Sequence, residues 1–227
     1  MPRILSIDSS VPNGSVALLD QNRILSSSYL SQNTNSSRSL LASIDQLFAK
    51  NLEELKTVDA FAVTNGPGSF TGLRVGVSLV KGLVLATGKS FVAVNTLEAL
   101  GHLAEPCEHQ ICPVLDARKK QVYAAFFKFE GNRLNRLSPD MALSPEDLAD
   151  KIDRPTLFIG QGIDTYEALW KNQLGKFFLT KGIRDESTSV AAGRIALDRL
   201  EEKIKQDLNQ LCINYIRKSE AEIYFGS

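Results

Sequence analysis

Asp8 and Asp116 are the residues whose type and placement could do chemistry. Each ends an apolar run, Ile4-Leu5-Ser6-Ile7 in one case and Ile111-Cys112-Pro113-Val114-Leu115 in the other. A carboxylate at the end of a buried strand can hold a magnesium ion against a nucleotide phosphate. Ser9 and Ser10 follow Asp8 and could turn hydroxyls toward that phosphate. Asp8 and Ser10 are therefore the candidate nucleotide-proximal residues. Asp116 is followed by Ala117-Arg118-Lys119-Lys120, not by the glycine-rich turn that cradles phosphate. Gly160-Gln161-Gly162 is a weak phosphate motif. His102 and His109 stand seven apart with Pro106 between them, a poor spacing for a metal pair on one helix turn. The expectation is no metal site and no catalytic residue. Cys107, Cys112 and Cys212 are odd in number and lack metal spacing, so they read as reduced thiols of a cytoplasmic protein.

The strongest signal is Asn65-Gly66-Pro67-Gly68-Ser69-Phe70-Thr71-Gly72-Leu73-Arg74-Val75-Gly76. An apolar strand, Ala60 to Thr64, runs into it. Gly66, Pro67, Gly68 and Ser69 form a structural turn: proline fixes one backbone angle and glycine allows angles that other residues avoid. Ser69 or Thr71 can cap the helix that follows. Such a turn presents bare N–H groups to an anion or allows another backbone to come close.

The helix from Phe70 to Thr87 carries only Arg74 and Lys81 as charges, seven apart, with Ser78 between them on the same stripe. The rest of its circumference is apolar or glycine, more than the single stripe of a surface helix. This predicts an interface helix, with Gly72 and Gly76 leaving a groove for a partner. The expected contact set is Gly72, Leu73, Arg74, Gly76, Val77, Val80 and Lys81, joined by Leu40, Leu41 and Ile44 from a helix over Leu40 to Lys50. Arg74 suits a partner's carboxylate or carbonyls because its five donors form a rigid fork. Ser36 or Ser37 could cap the earlier helix, and Ser144 before Pro145-Glu146-Asp147 starts another. The stripe Ile195, Leu197, Leu200 and Ile204 predicts an amphipathic helix packed on a second sheet.

The chain reads as built twice. In each half an apolar strand ends in Asp, a polar turn follows, and antiparallel strands continue: Ser15 to Leu19 in the first, Gln121 to Phe127 in the second. Later in each half a buried strand ends in glycine and enters a helix. This α/β pattern predicts two tandem ribonuclease-H-like domains, residues 1–105 and 106–227, each a mixed sheet flanked by helices.

Composition bounds the function. The chain has 227 residues, 43% of them hydrophobic, and a net charge of zero with a pI near 6.7. A strongly basic surface for tight solo binding of nucleic acid is not indicated. No signal peptide and no apolar run of membrane length are expected.

The glycine segment resembles the TsaB (YeaZ) family. So do Ile4 to Ser10 with Ser15 to Leu19, Asn95-Thr96-Leu97-Glu98, Leu115-Asp116-Ala117-Arg118 with Val122-Tyr123, and the late Tyr215-Ile216-Arg217. The resemblance covers nearly the whole chain. It implies the actin/sugar-kinase/Hsp70-like (ASKHA) fold and a bacterial role in making threonylcarbamoyladenosine beside the anticodon of tRNAs that read codons starting with A. It implies TsaD, the catalytic paralogue, and TsaE, a P-loop ATPase, as partners. The chain would be a non-catalytic subunit that meets tRNA only through the complex and forms a homodimer when alone. No intrinsic cofactor is implied; ATP or ADP at the complex interface is left open. Where relatives often carry a His before the Gln-Arg of the first helix, this chain reads Asn35-Ser36-Ser37-Arg38. The competing readings are a free-standing ASKHA-type ATPase or small-molecule kinase, which would need two phosphate loops, and a metallopeptidase, which would need metal ligands.

Overall fold

The computed structural model describes residues 2–21, 23–30, 36–51, 55–202 and 206–216. In chain order the first elements are β1 (Ile4–Asp8), β2 (Ser15–Leu19), β3 (Ile24–Tyr29), α1 (Ser36–Asn51), β4 (Ala60–Thr64), α2 (Phe70–Thr87), β5 (Ser90–Val94) and α3 (Thr96–Gly101). Then come β6 (Gln110–Arg118), β7 (Gln121–Ala124), β8 (Phe127–Glu130), β9 (Arg133–Arg136), β10 (Met141–Leu143), α4 (Pro145–Ala149), β11 (Thr156–Ile159), α5 (Gly162–Leu174), β12 (Phe178–Leu179) and α6 (Thr188–Glu201). Two α/β units result: residues 1–99 with 186–214, and residues 100–185 with 215–227.

The first unit is a five-stranded sheet in the order β3-β2-β1-β4-β5. β1 pairs antiparallel with β2 and parallel with β4, and β4 pairs parallel with β5. Side chains alternate across such a sheet. Leu5, Ile7, Phe61 and Val63 share a core with α1 and α2, while Ile4, Ala17, Ala60 and Ala62 share one with α6. The helix expected around Ile195 to Ile204 on the second sheet is therefore corrected. Its described part, α6, packs on β1, β2, β4 and β5. The reason is shape. Ala191, Ala192, Gly193 and Ala196 let α6 settle on the alanine-rich face of the first sheet, and a Cβ on Gly193 would stand 2.6 Å from Leu19. Ile204 and Arg217 lie outside the described residues.

The second unit is a seven-stranded sheet with the path β10-β7-β6-β11-β12, extended by β8 on β6 and β9 on β8. The run expected as one strand over Gln121 to Phe127 divides. β7 pairs with the far end of β6 and β8 with its start, with Ala125-Phe126 crossing between. The Ser138 hydroxyl accepts the Phe126 N–H at 2.9 Å there. Ser144 caps α4 as expected, accepting Asp147 N at 3.0 Å. Trp170 is fully buried and donates to the Pro145 carbonyl at 3.0 Å, tying α5 to α4.

One helix departs from the expectation that no run reaches membrane length. α2 has 18 residues and is long and apolar enough to cross a membrane by length and composition. Its inner face is committed instead to the first unit's core.

Candidate functional site

The glycine turn forms at the end of β4 as its sequence predicts. Ser69 is the N-cap, its hydroxyl accepting Gly72 N at 3.3 Å, and Gly88 closes α2 in the left-handed conformation. What fills the turn is the protein's own β1–β2 segment. Ser69 N donates to Ser10 O at 2.7 Å, and Ser9 Oγ donates to Gly72 O at 2.8 Å. A Cβ on Gly68 would overlap Ser10 O, one on Gly72 would overlap Ser9 O, and one on Gly76 would overlap Ser9 Oγ. Gly66, at φ +119, faces Asn214 O, which a Cβ would meet at 2.7 Å. The segment around Asn214 is clipped there by Asn214 N to Asn65 O at 2.7 Å and Asn65 Nδ2 to Cys212 O at 3.1 Å. Pro67 is buried and its peptide bond with Gly66 is cis.

These contacts correct the expected interface. Gly72, Leu73, Gly76, Val77 and Val80 are buried within the first unit, as are Leu40 and Ile44. The glycine groove is occupied by Ser9, so it holds no room for a partner helix. Of the ten expected contact residues, Arg74, Leu41 and Lys81 keep solvent access. The outward face also carries Ser78 and Leu85, absent from that set, the latter 76% exposed; Val75 and Leu79, also absent from it, are half-buried at the edge of that face and pack on the first unit's core. Their signal was in the register. The polar stripe of Arg74, Ser78 and Lys81 marks the solvent side, so its apolar neighbours stand at the surface with it. Leu40, Leu41, Arg74, Val75, Ser78 and Leu79 together line a groove of about 400 Å³ between α1 and α2. Its charge is positive, with no acidic residue in the first turn of either helix. An apolar groove with a basic rim is suited to a partner surface that supplies apolar contacts and carboxylates.

Asp8 and Ser10 are brought together, but they are spent on the fold. Asp8 is fully buried, and its Oδ1 accepts Ser10 N at 2.9 Å, Ser10 Oγ at 2.5 Å and Thr64 Oγ1 at 2.6 Å. Burial raises its pKa above the usual carboxylate value; Ser10, Thr64 and Thr188 act the other way and are outweighed. A carboxylate sealed from solvent, beside serines already engaged, does not fit a magnesium-bound phosphate. In the second unit Gly160 and Gly162 repeat the packing logic, each pressed against the Val114 backbone. Asp116 accepts Arg118 N at 2.7 Å, closing a turn in which Arg118, Lys119 and Lys120 all have positive φ. Among the described residues no three His, Cys, Asp or Glu side chains converge as metal ligands. The Asn35-Ser36-Ser37 departure falls where side chains are not described.

Comparison with known proteins follows this geometry. The family described as "TsaD: tRNA N6-adenosine threonylcarbamoyltransferase" matches residues 23–225. The chain is 28% identical over 223 residues to the tRNA threonylcarbamoyladenosine biosynthesis protein TsaB of Bacillus subtilis, covering 96% of each. It is 54% identical over 63 residues to the tRNA N6-adenosine threonylcarbamoyltransferase of Bartonella henselae, 17% of that protein's length. Its fold is that of YeaZ from Pseudomonas aeruginosa, with a TM-score of 0.77, 24% identity, and coverage of 95% of this chain and 100% of the other.

Proposed function

The chain belongs to the TsaD family, in its TsaB/YeaZ group, and works in tRNA threonylcarbamoyladenosine biosynthesis; from that premise we propose that it is a non-catalytic partner subunit. Its surface for the catalytic paralogue TsaD is the outward α1–α2 face. TsaE joins the assembly, tRNA is met through the complex, and the isolated chain pairs with itself through the same face. ATP or ADP, if held, sits where the chains of the complex meet. The observation that carries this reading is the division of labour on α2. Its glycines and inner valines build the first unit, while Leu85 and Arg74 are exposed, as is Leu41 across the groove, and half-buried Leu79 lines the groove floor between them. The carboxylate placed to do chemistry, Asp8, is locked inside instead.

The test is reconstitution. The purified chain and TsaD are mixed and resolved by size exclusion, and each is assayed alone and together for tRNA modification. Leu41, 49% exposed on the groove wall, is the position to change: Leu41→Glu should leave the melting temperature within about 2 °C, since surface changes usually stay within about 0.5 kcal/mol. It should weaken both self-association and the TsaD complex by at least about tenfold. Unchanged assembly by a folded Leu41→Glu protein would move the interface off this face. Modification activity, or ATP turnover, by the chain alone would instead favour a free-standing ASKHA-type enzyme.

A further inference from the structure

A second surface, within the second unit, has its own chemistry. A pocket of about 250 Å³ opens where β6, β8 and the loop before β11 meet. Strand register builds it. Gln110 opens β6, lies directly opposite Lys128 of β8, and is paired on its other side with Thr156 of β11. Opposite residues of an antiparallel pair keep their side chains on one face, about 5 Å apart. Lys128 and Gln110 therefore form one wall. His109 and Arg154 enter from the segments just before β6 and β11, and Leu137 and Pro155 add apolar surface.

The donors in this pocket are not used up by the fold. Asp153 pairs with the exposed Arg154 through Nε at 2.7 Å and Nη2 at 3.1 Å, which leaves Nη1 outside the pair. The side chains of Lys128 and His109 make no hydrogen bond or ion pair among the described residues. Gln110 Oε1 accepts the Thr156 hydroxyl at 3.1 Å, a bond that leaves its Nε2 donors unused. The lining holds one carboxylate, Glu108, which pairs with neither cation.

We propose that this pocket is an oxyanion site of the phosphate class, with Lys128, His109 and Arg154 Nη1 as its donors. A guanidinium fork and a compact ammonium lining one pocket suit a tetrahedral oxyanion. Glu108 opposes it and tunes its affinity downward. A free phosphomonoester and the phosphodiester of a nucleic-acid backbone present the same chemistry. The inference does not rest on the α1–α2 reading and survives its failure.

The test titrates the full chain at low salt with inorganic phosphate by calorimetry, then with a short fluorescent single-stranded RNA by anisotropy. Lys128→Gln should weaken phosphate binding about fivefold and Glu108→Gln should strengthen it about twofold. Lys176→Gln, outside the pocket, should change nothing. Opposite signs from two exposed substitutions cannot come from unfolding. RNA that phosphate displaces would identify a nucleic-acid backbone as the source, and phosphate binding without RNA binding a free phosphomonoester. No saturation below about 20 mM phosphate, weaker than any useful site on the affinity scale, would overturn the proposal. Equal effects of Lys128→Gln and Lys176→Gln would overturn it too.

Discussion

Two glycines of α2 should respond to alanine with opposite signs. Gly72 has its Cα against Ser9, where a Cβ would overlap Ser9 O, and its carbonyl accepts Ser9 Oγ at 2.8 Å. The obstacle is backbone, so relief requires α2 or the β1–β2 turn to shift. Overpacking of this kind costs about 1–3 kcal/mol, and losing the hydrogen bond adds about 1. Alanine's better helix propensity returns about 1 kcal/mol. Gly72→Ala should therefore destabilise by about 1–3 kcal/mol. At about 2–4 °C per kcal/mol for a chain of this size, the melting temperature falls by roughly 2–12 °C. Gly82 sits ten residues along the same helix, is exposed, and would meet nothing within 4 Å. Gly82→Ala should gain about 0.5–1 kcal/mol and raise the melting temperature by a few degrees. Thermal and guanidinium unfolding of the two variants, followed by circular dichroism, read both signs. A Gly72→Ala protein as stable as the parent but unable to bind TsaD would refute this reasoning. It would return the glycine groove to the partner.

Three further outcomes are expected. Asp8 has a folded pKa above its unfolded one, so its contribution to stability is present at low pH and is lost as pH rises through the window above 3.8. Asp8→Asn should accordingly be at least as stable as the parent at pH 7, with the difference shrinking toward pH 4 in urea titrations; a deficit largest at pH 7 would contradict it. Lys89 Nζ donates to the carbonyls of Leu55 at 3.2 Å and Lys56 at 2.7 Å, and to that of Val58. Lys89→Met should cost about 1–2 kcal/mol by leaving those carbonyls without the ammonium, measured as a lower guanidinium midpoint at unchanged slope. Arg74→Ala should keep the melting temperature within about 2 °C yet bind TsaD some five- to tenfold more weakly, with modification restored by excess variant; Lys in its place should not recover the affinity, because it lacks the planar fork. Equal affinity of the Ala variant and the parent would leave Arg74 without that role.

What the sequence determines here is local. Ile4 to Asp8 and Ile111 to Asp116 read as strands because apolar runs bounded by polar turns have no cheaper conformation. Gly66-Pro67-Gly68-Ser69 reads as a strand-to-helix turn because few other residues accept those angles, and Ser69 and Ser144 read as caps because a hydroxyl there satisfies an orphan N–H. The two-fold recurrence of these signals was enough for the fold class, and the motif around Gly66 for the family.

The tertiary structure decided which surface each stripe meets. Periodicity shows that α6 has an apolar face; only the alanine lining of Ala17, Ala60 and Ala62 explains why that face lies on the first sheet. The apolar excess of α2 was legible, but its division into inward Val77 and Val80, half-buried Leu79 and outward Leu85 depends on what β4 and α1 place beside it. The glycines were legible as sites of close approach, and the approaching backbone was not. Ser9 and Ser10 lie about sixty residues before them, and Asn214 lies 149 residues after Asn65. Asp8 shows the same rule for chemistry: its residue type suggested a phosphate ligand, and the Thr64 and Ser10 hydroxyls, converging only in the folded chain, make it a buried anchor instead. Local conformation is set by neighbours in sequence, while burial and partnership are set by contacts that exist only once distant segments have closed on one another.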